Sequence, residues 1–241
     1  MRGWLDAGLP EVAVAVADVQ RAGRGRSGRT WQAPPGAALL LSVGFRPHGL
    51  VALHGWRLGA VGALAMIDAA EDAAGLRERT LWLKWPNDLV ALGPDRQPRK
   101  LAGVLGETAF DAAGDIASAV VGIGVNADWA AAGFPAELAD AMTSLREVAL
   151  GRPIDRDALL EGFLARLEPR YVALREGRFD VGGWSVRQLT TGRQVEVEVA
   201  EERLVGTAVG VDPESGALRL DDPGTGVHEI DSGDVVRCRV V

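Results

Sequence analysis

The chain has 241 residues, 26 basic against 33 acidic, one cysteine and three histidines, for a net charge of -7. That length buries a stable core without covalent staples, and the lone Cys238 supports neither an internal disulfide framework nor a Cys-rich metal site. The acidic balance excludes bulk binding to nucleic acid or anionic membrane, and polar residues interrupt every apolar stretch before the roughly 20 residues a membrane span needs. With no basic-then-apolar leader, a soluble cytoplasmic protein is expected.

In chain order, residues 11–17 (EVAVAVA) read as a buried strand that runs into a Gly/Arg loop, GRGRSGRTWQAPPG, at 23–36. The continuous apolar run at 37–45 (AALLLSVGF) has the length of a core strand. Residues 50–74 read as a buried helix with a glycine stop at Gly75. A strand follows at 80–85 (TLWLKW) and stops at Pro86, which cannot donate to a ladder. Short apolar runs at 88–92, 101–109 and 116–125 are separated by turn signals and predict further strands in an antiparallel or mixed sheet. Residues 138–150 and 155–178 are expected to be helices, the second capped by Asp155.

After Gly182 and Gly183 the texture changes. QVEVEV at 194–199 alternates with period two, and further short strands fit 204–211, 216–220, 226–230 and 235–240. Five short strands in so small a unit predict a closed β-barrel, because closure hides the edges. The division expected is a catalytic unit over 1–185 and a small β unit over 186–241.

Two scarcities mark the chemistry. The only lysines are Lys84 and Lys100, and the only asparagines are Asn87 and Asn126. In a chain that otherwise uses arginine, a lysine suits a point that a guanidinium fork would overfill. The acidic residues are also uneven: none lies between Val19 and Ile67, where Arg21, Arg24, Arg26, Arg29, Arg46 and Arg57 all fall. An acidic protein with one basic segment has a local site for an anion.

In Gly23–Arg29 (GRGRSGR) glycine admits close backbone approach and arginine offers bidentate donors to carboxylate or phosphate. The spacing is not that of a P-loop, and an RNA-binding Arg/Gly segment is a second reading of the same letters. In KWPNDL (84–89) Asn87 and Asp88 either form an Asx-type turn or serve a ligand, Asp88 through a divalent cation and Asn87 or Lys84 through polar atoms. Lys100, opening KLAGVLGE (100–107), is suited to neutralising charge that develops at phosphorus or an acyl oxygen. GIGVN (122–126) ends a strand on Asn126, placed to bond a base or ribose.

These four motifs, in this order over residues 20–126, resemble the biotin protein ligases. The resemblance implies an α/β (α+β) fold: a mixed central sheet flanked by helices, related to lipoate ligases and class II aminoacyl-tRNA synthetases, with an SH3-like C-terminal barrel. It implies that biotin and ATP with Mg2+ give biotinyl-5'-AMP and pyrophosphate, after which a lysine of a biotin carboxyl carrier domain takes the biotinyl group. The biotin contacts would fall on Gln20, Arg24, Gly25, Arg26 and Lys100, with Lys100, Asp88 and Arg26 catalytic. The ATP contacts would fall on Arg29, Trp31, Lys84, Asn87, Asn126 and Arg237, with Asp88 supporting magnesium. A monomer or homodimer without a repressor function is expected, since no helix-turn-helix precedes these motifs. The family's Ser-Thr-Asn type motif, which holds the ureido ring, is missing, and MRGWLDAGLPE resembles the later part of the helix that follows it. Loss of two such hydrogen bonds would cost on the order of 2 to 5 kcal/mol.

Overall fold

The apolar run that the sequence singles out becomes the spine of the protein. In the computed structural model, which describes residues 1–8, 11–200, 202–231 and 233–238 (Asp234 and Arg237 by backbone alone), Ala38–Phe45 forms a strand with seven of eight residues buried. In chain order the elements are α1 (Arg2–Asp6), β1 (Val12–Ala17), β2 (Gly23–Arg24), β3 (Thr30–Trp31), β4 (Ala38–Phe45), α2 (Trp56–Ala73), β5 (Leu81–Lys84), β6 (Asp88–Leu92), β7 (Pro98–Phe110) and β8 (Ile116–Asn126). They continue with α3 (Leu145–Val148), α4 (Arg156–Arg175), α5 (Val181–Val186), β9 (Arg193–Val199), β10 (Glu202–Val211), β11 (Leu218–Asp222), β12 (Gly226–Ile230) and β13 (Asp234–Cys238). Among the described residues no helix is long and apolar enough to cross a membrane.

The large sheet runs β1-β4-β8-β7-β6-β5, and each of its ladders is antiparallel rather than mixed. Short links join β5 to β6, β6 to β7 and β7 to β8, and a tight link reverses the chain, so hairpins replace the crossovers that parallel strands need. Among the described residues, parallel pairing survives only as the isolated bridges Leu83 to Gln188 and Lys100 to Met142. β1 is an edge strand with Val12 and Val16 exposed, not the buried strand expected, because it has a neighbour on one side only.

Helices α2 and α4 pack on each other behind the sheet. Leu58, Met66 and Ile67 of α2 are at most 1% exposed, and each such burial contributes roughly 1.5–3 kcal/mol. α2 begins later than its apolar run, since Ala52–His54 forms a separate 3-10 turn, and the chain leaves the helix through Gly75 at φ +55. α4 is capped as expected, Asp155 Oδ1 accepting from the amides of Asp157 and Ala158 at 2.9 and 3.1 Å.

The helix expected over 138–150 shrinks to four residues. Residues 136–141 form turns, and 141–143 pair with β7: the Lys100 amide donates to the Ala141 carbonyl (2.8 Å) and the Thr143 amide to the Lys100 carbonyl (2.9 Å). Tertiary pairing overrides local helix preference here. Ser144 then caps α3, its Oγ accepting from the Glu147 amide, as a Ser-x-x-Glu spacing allows.

The C-terminal unit has the five strands expected, in the order β12-β11-β10-β9-β13, but as an open antiparallel sheet and not a closed barrel. No ladder joins β12 to β13 among the described residues. The apolar face is covered from outside: Trp85, between β5 and β6, packs into the cluster of Val195, Val197, Leu218, Leu220 and Val235, and its Nε1 donates to the Gly216 carbonyl at 3.0 Å. With that face covered, the sheet need not close on itself.

Candidate active site

The Gly/Arg segment folds into a small hairpin rather than an open loop. β2 pairs with β3, Gly23 opposite Trp31 and Arg24 opposite Thr30, and the tip turns through Ser27 and Gly28 at φ 53 and 73. A Cβ on Gly23 would stand 2.2 Å from the Trp31 carbonyl oxygen, so only glycine fits there. The Gly25 amide donates to the Arg29 carbonyl (2.7 Å), and Arg29 Nε to the Arg26 carbonyl (3.2 Å).

This hairpin covers a cavity of about 840 Å³ on the face of the large sheet. Its walls bring together Gln20, Arg24, Gly25, Arg26, Arg29, Trp31, Lys84, Asn87, Asp88 and Lys100, all of them singled out from the sequence. The strands position the central charges. Asp88 opens β6 and Lys100 lies in β7, next to it in the sheet, so that Lys100 Nζ comes within 2.6 Å of Asp88 Oδ1. The angles of that ion pair fall short of a hydrogen bond. Lys100 Nζ also lies 5.7 Å from the Trp31 ring centroid, within cation–π range.

Two donors in this wall have no partner. Arg26 Nη1 and Trp31 Nε1 are buried and make no hydrogen bond. A buried unpaired donor costs about 1–3 kcal/mol, which an acceptor oxygen entering the cavity would recover. The chemistry of the set therefore suits an anionic, oxygen-rich ligand.

Other expected residues sit differently. Asn126 is 3% exposed, donates through Nδ2 to the Thr143 carbonyl (2.9 Å) and does not line the cavity. Asn87 lines it, but its Nδ2 is spent on the Val104 carbonyl at 2.9 Å. Lys84 Nζ donates to the Val235 carbonyl of β13 at 2.6 Å, which brings the C-terminal sheet into the cavity wall. The Arg237 side chain lies outside the described residues. Among the described residues no group of three His, Cys, Asp or Glu side chains is placed to hold a metal.

Sequence reasoning missed Glu107, the last residue of KLAGVLGE, although it stood inside a motif already marked. Its carboxylate pairs with Arg24 at 3.3 Å and with Arg2 at 3.2 Å, tying the hairpin and α1 to β7 across the cavity mouth. Trp85 was passed over too; its size beside Pro86 was the available signal.

The description "Biotin/lipoate A/B protein ligase family" belongs to the family model that matches residues 3–126. Over 229 residues the chain is 35% identical to the biotin–(acetyl-CoA-carboxylase) ligase of Mycobacterium tuberculosis, covering 94% of this chain and 79% of that protein. It is 32% identical over 229 residues to the bifunctional ligase/repressor BirA of Bacillus subtilis, covering 94% of this chain and 66% of BirA. The biotin protein ligase from Aquifex aeolicus, solved in complex with biotin and ATP, superposes with a TM-score of 0.74 at 30% identity, over 91% of this chain and 86% of that one. With its motifs gathered around one cavity and these relatives along nearly its whole length, the chain belongs to the biotin protein ligases of the biotin/lipoate A/B protein ligase family.

Proposed function

We propose that the chain activates biotin with MgATP to biotinyl-5'-AMP, releasing pyrophosphate, and then passes the biotinyl group to a lysine of a biotin carboxyl carrier domain. The observation that carries this reading is the setting of Lys100, fixed between the Asp88 carboxylate and the Trp31 ring and facing a cavity with unpaired buried donors. A fixed ammonium there stabilises negative charge where the biotin carboxylate and the α-phosphate meet, without reorganisation at the moment of reaction.

The remaining roles follow from placement. Arg26 supplies the free donor to an anionic oxygen, with Gln20, Arg24 and Gly25 beside it on the biotin side. Arg29, Trp31, Lys84 and Asn87 are assigned to the nucleotide side, and Asn126 acts through the 143–147 turn that it holds. The hairpin shields the mixed anhydride from water. Asp88 orients Lys100 and takes the proton of the incoming amine; magnesium arrives on the phosphates of ATP, where it prefers to bind. The catalytic unit is residues 1–185 and the accessory sheet unit residues 186–241.

The test is transfer of biotin from biotin and MgATP to a purified carboxyl carrier domain, read by avidin blot. Labelling that needs both ATP and biotin is expected. Labelling with lipoate in place of biotin, or none with biotin, overturns the reading.

A further inference from the structure

A second cavity, of about 300 Å³, lies between α2, the outer edge of β7 and the C-terminal sheet. It meets the first along Lys84–Asp88 and again at Arg26, Val104, Leu105, Glu107 and Val120, so that Asp88 belongs to the walls of both. The second cavity is chiefly apolar, with Leu58, Ala63, Leu83 and Val104 in its walls and the indoles of Trp56 and Trp184 beside them. Besides Arg26 and Asp88, which it shares with the first cavity, it holds one more buried polar group without a hydrogen-bond partner. Gln188 is 8% exposed, and its Oε1 has no hydrogen-bond partner.

We propose that this second cavity is the access channel for the acceptor amine, a primary amine on an alkyl stem such as a protein lysine side chain, which reaches the acyl-adenylate from the far side of Asp88. The proposal rests on the ligase reading above and deepens it. The apolar walls match the methylenes of the stem, and the Gln188 carbonyl accepts an N–H from the nitrogen as it passes. The surroundings also favour the reactive form. Apolar walls, the N-terminal end of the 18-residue α2 and the charges of Lys84 and Arg26 all disfavour an ammonium, while attack requires the neutral amine. The carboxylates of Asp88, Glu107 and Asp231 also face the cavity; Asp88 and Glu107 line the first cavity as well, and Glu107 is paired with Arg2 and Arg24. In the step itself the amine nitrogen bonds to the acyl carbon, the bond from that carbon to the phosphate oxygen of AMP breaks, and AMP leaves with the electron pair. The proton lost by nitrogen passes to the Asp88 carboxylate, and an amide results.

The experiment separates the two half-reactions. Gly59 and Ala63 sit one turn apart on α2 and line the second cavity but not the first. A Cβ on Gly59 would meet only Val104 Cγ1, at 3.8 Å, so a larger side chain has room to grow into the channel. In Gly59→Leu and Ala63→Leu, pyrophosphate release from biotin and ATP should stay within about twofold of the parent, while transfer to the carrier domain falls by about tenfold or more. Hydroxylamine, which has no alkyl stem, should still cleave the bound adenylate at the parent rate. Gln188→Leu should raise Tm, because a buried unsatisfied acceptor is removed, and yet slow transfer. A purely structural Gln188 would not split those two readouts. Unchanged transfer in both α2 variants, or equal loss of both half-reactions in both, overturns the proposal. Absence of pyrophosphate release in the parent protein would instead defeat the ligase reading itself.

Discussion

The indole of Trp31 packs against Gly124: a Cβ at that glycine would stand 2.7 Å from Trp31 Cε2 and 2.8 Å from Nε1. Gly124 of GIGVN is thus a seat for an aromatic ring that closes the hairpin over the cavity. A methyl group at 124 meets rigid ring atoms, so the ring must lift. We predict that Gly124→Ala folds normally but releases biotinyl-AMP to solvent at least about tenfold faster, because the closed site is no longer held. The check is the half-life of enzyme-retained adenylate; an unchanged half-life would remove Trp31 as the closing element.

In the reaction proposed above, Lys100 serves both half-reactions. Removing its charge should leave the sheet intact, since its backbone bonds to Ala141 and Thr143 do not need the side chain. Lys100→Ala should lower the rate of pyrophosphate release by about 100-fold or more, the scale of a lost transition-state charge contact. Lys100→Arg should not restore it. A Cβ on Gly103 would lie 3.5 Å from Lys100 Nζ and from the Trp31 ring, which leaves little room for a planar fork. Near-parent pyrophosphate release in either variant would sink the assignment.

The core strands and the four motifs were legible because they depend on local letters: an apolar run bounded by turn residues at 37–45, and rare lysines and asparagines at 84–126. What was not legible depended on partners distant in sequence. Residues 141–143 pair with Lys100 instead of continuing a helix, and the C-terminal strands stayed open because Trp85, over a hundred positions earlier, covers their apolar face. Asn126 read as a ligand contact because nothing local shows that its amide is spent on Thr143. The pattern alone could not say which polar groups in the cavity would be left unpaired.

A buried ion pair ties the chain just after α5 to the C-terminal part of α2. Arg187 reaches Glu71 by two bonds, Nη1 to Oε1 at 2.8 Å and Nη2 to Oε2 at 2.9 Å, and Glu71 Oε1 also accepts the Leu81 amide at 2.9 Å. The two side chains are 11% and 5% exposed. Glu71→Ala strands the guanidinium and an amide together, and should destabilise the protein by about 3–5 kcal/mol in urea unfolding. A loss under about 1 kcal/mol would mean that water or Asp68 replaces the carboxylate.

The C-terminal sheet is also held by an exposed contact that titrates. Glu214, in the turn between β10 and β11, places Oε2 2.8 Å from His54 Nε2 and Oε1 3.2 Å from Arg57 Nη2, while Trp56 Nε1 donates to its carbonyl at 2.9 Å. The hydrogen bond from His54, then the charge of Arg57, holds the Glu214 carboxyl below the ordinary glutamate value of 4.5. In the same turn the Ser215 amide holds Asp212 below its ordinary 3.8. A carboxylate whose folded value is depressed stabilises the fold above its unfolded value, and that contribution is lost as pH falls through the folded value. The docking of the sheet on α2 should therefore weaken below pH 4.5 and not in the alkaline range. Thermal unfolding of the parent and Glu214→Gln should show the parent more stable near neutrality, with the gap closing as pH falls below 4.5 and shrinking in high salt. A gap that persists unchanged into acid would show that the contact depends on the turn's backbone and not on the carboxylate.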